Sequence, residues 1–109
     1  MTTLKVIQND KLYDLNFTLQ NNSGGGLDLT GATILFKAQQ TNNPNLKFSG
    51  SMVIVGSPAS GQCKYTVQSG DFSVTGTYTA EIELTYPGGQ IISFGDIQVI
   101  VSPELPKPN

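Results

Sequence analysis

Glu81 and Glu83 stand two residues apart in a segment with strand periodicity, which puts both carboxylates on one face, as acid–base chemistry would need. On the solvent side of a strand such a pair serves solvation and edge protection, and that is the reading taken. Asp10, Asp14, Asp28, Asp71 and Asp96 lack the alternating oxygen-ligand spacing of a calcium loop, and turn formation accounts for most of them. A nucleophilic Ser or Cys needs a base, and the chain has no His. Gly24-Gly25-Gly26 is followed by no Lys-Ser or Lys-Thr and opens no helix, so it reads as a flexible loop rather than a phosphate cradle. No catalytic, cofactor or metal site is assigned, and the chain reads as a non-enzyme.

Composition narrows the partners. The six basic residues are all Lys and the net charge is −2, so no positive field exists to displace counterions from a nucleic acid. The absence of Arg removes bidentate capture of phosphate or carboxylate. Charged residues number 6 + 8 = 14, and 36 Asn, Gln, Ser and Thr make the surface polar but nearly neutral. Cys63 stands alone, which rules out an internal disulfide, and its parity with Tyr65 and Val67 predicts a buried thiol. Met1 to Val6 lacks the basic start and long apolar stretch of a secretory signal, and no segment approaches the length of a membrane span. The expectation is a protein made in the cytosol, with neither membrane nor nucleic acid as partner.

The elements that position these residues are strands. From Thr77 to Tyr86 apolar and polar side chains alternate without a miss, so Tyr78, Ala80, Ile82, Leu84 and Tyr86 face a core. The same period predicts strands at Leu4 to Gln8, Leu12 to Gln20 and Ala32 to Gln39, with a short edge strand at Leu46 to Phe48 after a loop from Gln40 to Asn45. Ser51 to Val55 and Gln62 to Val67 read as a hairpin, and Gln90 to Val101 as the last strand. There the inward parity shifts from Ile92 and Phe94 to Ile97, Val99 and Val101, which calls for one extra residue at Gly95-Asp96. Tyr86-Pro87-Gly88-Gly89 predicts a type II turn with positive φ at Gly88. No 3.6-residue period is sustained. The chain is therefore expected to be all-β, an antiparallel immunoglobulin-like β-sandwich of about seven to eight strands over residues 1–102, followed by a proline-rich tail or linker over 103–109.

Two local readings sharpen this. Gly76-Thr77-Tyr78-Thr79-Ala80 places a Tyr two residues before a small buried residue, as in a tyrosine corner, and the Tyr78 hydroxyl is expected to bond backbone near Ser69 to Phe72. Leu35, Val53, Val55, Ile91 and Ile100 put apolar side chains on the nominally polar parity and are the candidate protein interface.

Taken with Asn16-Phe17-Thr18-Leu19, the turn and strand Asp28-Leu29-Thr30-Gly31-Ala32-Thr33-Ile34-Leu35-Phe36, the segment Gly61-Gln62-Cys63-Lys64-Tyr65 and the late strand from Gly76 to Leu84, the chain resembles the N-terminal domain of phage upper baseplate proteins (BppU). The resemblance runs from about residue 5 to 101. It implies an immunoglobulin-like virion component without catalytic residues or cofactors, localised to the tail or baseplate and involved in host attachment. Implied partners are other phage tail or baseplate proteins, and a homo-oligomer is expected. The alternative is a carbohydrate-binding or cell-surface adhesion module. Its sugar platform would fall to Tyr13, Tyr65, Tyr78 and Tyr86, whose parity points inward.

Overall fold

A computed structural model describes residues 2–105 and contains eight strands: β1 (Thr2–Ile7), β2 (Asp14–Thr18), β3 (Thr33–Gln40), β4 (Asn43–Ser51), β5 (Val53–Ile54), β6 (Gln62–Thr66), β7 (Gly76–Thr85) and β8 (Ile91–Ser102). They form a five-stranded sheet in the order β1-β8-β7-β3-β4 and a three-stranded sheet in the order β2-β6-β5. A single 3₁₀ turn, Pro58–Ser60, is the one helical element among the described residues. Of the expected tail, residues 106–109 lie outside the described residues.

Alternation fixes which side of each strand faces inward. Tyr78, Ala80, Ile82 and Leu84 of β7 are buried, opposed by Ile34, Phe36 and Ala38 of β3 and by Ile97, Val99 and Val101 of β8. From the smaller sheet, Leu15, Cys63 and Tyr65 close the core. The Phe36 and Tyr65 rings stack across the layers at 4.9 Å, and Phe72 meets Phe48 and Tyr78 edge-on at 5.1 and 5.4 Å. Burying rings of this size stabilises the fold by about 2–3 kcal/mol apiece. The expected extra residue in β8 is present: Ala80 pairs with Ile97 but Ile82 pairs with Phe94, so Gly95 and Asp96 together oppose Glu81. Asp96 rather than Gly95 takes the positive φ, 61°.

Several expectations are corrected. The larger sheet is mixed, because β1 runs parallel to β8 from the pair Thr2 and Ile97 to the pair Ile7 and Ser102. The two strands lie at opposite ends of the chain, so no hairpin dictates their direction, and alternation carries no sign of it. β4 starts at Asn43 inside the expected loop and includes Pro44, which an edge strand tolerates because no neighbour needs its missing N–H. Ser51 to Val55 is not one strand, since the chain crosses between sheets at the buried Met52, whose N–H still bonds Ile34 O at 2.8 Å. β2 is shorter than expected because Leu12 takes φ 64° and lies outside the ladder. At the tip of the β7–β8 hairpin the positive φ belongs to Gly89, not Gly88. Gly89 N bonds Tyr86 O at 2.9 Å and Tyr86 N bonds Gln90 O at 2.9 Å, giving the three-residue connection whose last residue is left-handed and matches strand twist. The Tyr78 hydroxyl does bond backbone, but at Val74 O, 2.8 Å away, two residues beyond the expected range.

Candidate interface

The outward side chains of the five-stranded sheet fall into cross-strand rows set by the register. One row carries Gln98, Thr79, Gln39 and Lys47; the next carries the bulge at Asp96, then Glu81, Lys37 and Ser49; the third carries Ser93, Glu83, Leu35 and Ser51. The first two rows line an open trough of about 700 Å³ whose walls include Lys37, Lys47, Glu81 and Asp96. Lys37 Nζ lies 3.1 Å from a carboxylate oxygen of Glu81 and 3.1 Å from one of Glu83, and hydrogen bonds to the two carboxylates raise its pKa. The two glutamates therefore clamp one ammonium. Edge protection is excluded for them, because β7 lies between β8 and β3 in the interior of its sheet.

Asp28, Asp14 and Asp71 are occupied locally. Asp28 accepts from the Thr30 N–H at 3.0 Å and the Thr30 hydroxyl at 2.6 Å, which lowers its pKa and fixes the turn ahead of β3. Asp14 accepts from Thr66 at 2.6 Å and Lys64 at 3.2 Å across the β2–β6 pair, and its pKa is likewise lowered, the Thr66 bond first. Asp71 takes the Tyr65 hydroxyl and the Gln68 N–H at the β6–β7 corner. Burial first, then that bond, raises the Tyr65 pKa. Cys63 is 1% exposed, and desolvation pushes its thiol up to about 11, so it packs as a neutral core side chain. Among the described residues no three His, Cys, Asp or Glu gather as a metal site would require.

The five apolar residues singled out from the sequence do not form one patch. Leu35, Ile91 and Ile100 share the outer face of the larger sheet. Ile91 lies across β7 from Leu35 and one row along, about 12 Å away, and Ile100 lies roughly 20 Å off beside Lys5. Val53 and Val55 lie on the opposite side of the sandwich, on the outer face of the smaller sheet next to Lys64 and Gln62. Ile91 is 60% exposed and Val53 53%, while Leu35, Val55 and Ile100 are half-buried.

Sequence reading overlooked a second set. Ile7, Leu12 and Val74 are exposed, although Ile7 closes a strand and Leu12 sits within a predicted one. It also overlooked the open flank of β4, where Leu46 and Phe48 face the core yet stay half-buried because the three-stranded sheet is too narrow to cover a sheet of five. Sheet width is a tertiary property that no local pattern encodes. Of the four tyrosines, Tyr65 and Tyr78 are buried and Tyr13 and Tyr86 half-buried against the core. Compared with known families, the chain matches one described as the BppU N-terminal domain, over residues 2–107. No curated protein matches it.

Proposed function

The chain belongs to the BppU N-terminal domain family, a family of phage baseplate structural proteins, and from that membership we propose that it is a non-enzymatic assembly module of the phage tail that contributes to host attachment. The match over residues 2–107, nearly the whole chain, carries this reading. Low charge and a polar surface support it, since neither favours nucleic acid, and the inward tyrosines give no support to the glycan-binding alternative. Its partners are other tail or baseplate proteins and further copies of itself. It is made in the host cytoplasm and resides in the virion.

The domain is proposed to be an immunoglobulin-like sandwich over 1–102, followed by a linker over 103–109. Strand order supports this: β2, β6 and β5 take the places of strands B, E and D, and β8, β7, β3 and β4 those of G, F, C and C′. Contacts with other virion proteins are assigned to the outer face that carries Leu35, Ile91 and Ile100, with Val53 and Val55 as a second contact on the opposite side. Binding of the purified protein to immobilised co-encoded tail proteins tests the reading. At least one is expected to bind, and Leu35→Asp together with Ile91→Asp to weaken binding at least tenfold. Absence of binding to every tail and baseplate protein would overturn the reading.

A further inference from the structure

The open flank of β4 has a backbone pattern that identifies what can add to it. Met52 N–H bonds Ile34 O, and the register of β3 with β4 makes this the first of the closely spaced pairs, followed by Phe36 with Gly50 and Ala38 with Phe48. Phe48 and Gly50 therefore spend their N–H and C=O groups on β3. Lys47, Ser49 and Ser51 point theirs away from the sheet, toward an edge with no neighbouring strand. This is the longest strand edge left open among the described residues, since β1 has six residues, β2 five and β5 two. The register irregularity of the β3–β4 pair lies between Gln39 and Gln40 on β3 and between Lys47 and Asn43 on β4, so Pro44, Asn45 and Leu46 leave the regular ladder and the regular stretch is Lys47 to Ser51, in which no charge points inward. The irregularity, Pro44 and Lys47 blunt the leading end of this edge, while Phe48 to Ser51 carries no such device.

We propose that two copies of the chain join β4 to β4 in antiparallel fashion about a two-fold axis at Phe48, making one continuous ten-stranded sheet. The sequence is self-complementary in that register. Lys47 stands opposite Ser49 of the second copy and Ser49 opposite its Lys47, so no like charges face one another directly. Phe48 meets Phe48 of the second copy at a widely spaced pair, where side chains come closest and aromatic pairs stabilise most. Gly50, which has no side chain of its own, leaves room beside the ring pair, and the half-buried flank of Phe48 is covered. Moving the axis to Lys47 would set two ammonium groups opposite each other. Moving it to Ser49 would lose the aromatic pair. This deepens the self-association part of the proposed function.

Ser49→Pro tests it, because Pro removes an N–H that the β3 ladder does not use while blocking addition of a strand. Light scattering over a concentration series is expected to give the mass of two chains for the native protein and of one chain for the variant, a twofold fall, with circular dichroism unchanged. A cysteine experiment fixes the register independently of that variant's folding. Lys47→Cys mixed with Ser49→Cys should give a disulfide-linked pair, since a closely spaced pair has Cα atoms about 5.5 Å apart, while Lys47→Cys alone should not. Buried Cys63 does not compete. A native protein with the mass of one chain, a dimer that survives Ser49→Pro, or linkage by Lys47→Cys alone would overturn the inference. A monomer that still binds tail proteins would do so while leaving the assembly reading intact.

Discussion

Replacing Tyr78 by Phe isolates a hydrogen bond that ties the β6–β7 corner to the central strand. The ring is 1% exposed, and its hydroxyl donates to Val74 O at 2.8 Å. Phe keeps the edge-on contact with Phe72 at 5.4 Å, so the loss is confined to the hydroxyl. A buried hydrogen bond contributes about 1 kcal/mol net, and leaving the Val74 carbonyl without its donor brings the expected cost to about 1–2 kcal/mol. With an unfolding entropy near 2.1 cal/mol/K per residue over 109 residues, that corresponds to a fall in Tm of ~4–9 °C. Tyr86→Phe is the control, because the Tyr86 hydroxyl bonds Asp28 O at 2.8 Å in an exposed setting where water replaces it, and a change of ~0.5 kcal/mol or less is expected. Urea unfolding followed by circular dichroism measures both. Equal effects of the two substitutions, or unchanged stability for Tyr78→Phe, would refute the role given to the corner.

Glycine positions separate sharply: a Cβ at Gly61, φ 76°, would stand 2.2 Å from Leu19 O, so Gly61→Ala should cost about 3 kcal/mol or more, whereas Gly88→Ala meets nothing within 4 Å and should fall within ~0.5 kcal/mol of native in the same unfolding assay. Without His, stability should be flat between about pH 5 and pH 9. Below that window the lowered pKa values of Asp14 and Asp28 mean that stability present above their unfolded values near 3.8 is lost as pH falls through the folded ones. Above it, Cys63 is raised from 9.0 to about 11, so its contribution, complete below 9.0, is lost as pH rises through the folded value; an inflection in Tm near neutral pH would contradict the flat window, and a Tm that rose at either extreme would contradict the corresponding sign. The Cys63 thiol should ignore a thiol reagent in the native state at pH 8 and react fully in denaturant, and rapid native reaction would place it on the surface.

Local alternation made the inward residues of β3, β7 and β8 legible, because a period of two is dictated by the backbone and one face is buried. The bulge at Gly95 and Asp96 was legible for the same reason, as a break in that period. What alternation lacks is direction and neighbourhood. Nothing in Thr2 to Ile7 says that β1 lies parallel to β8, nor does anything in Glu81 and Glu83 announce that Lys37 sits between them until strands are paired. The apolar outliers Leu35, Val53, Val55, Ile91 and Ile100 were legible one by one, and their division between two faces emerged with the assignment of β5 to the smaller sheet. The β4 edge stayed hidden because Asn43-Pro44-Asn45 has turn composition while its place at a sheet margin makes strand geometry acceptable there.

Quantitative mass spectrometry of purified particles from the phage that encodes the chain tests its place in the virion tail directly. The chain is expected in a fixed, multi-copy ratio to the other tail proteins, with gold-labelled antibody decorating the tail tip. Its absence from intact particles, with the protein found only in the lysate supernatant, would rule out a place in the tail.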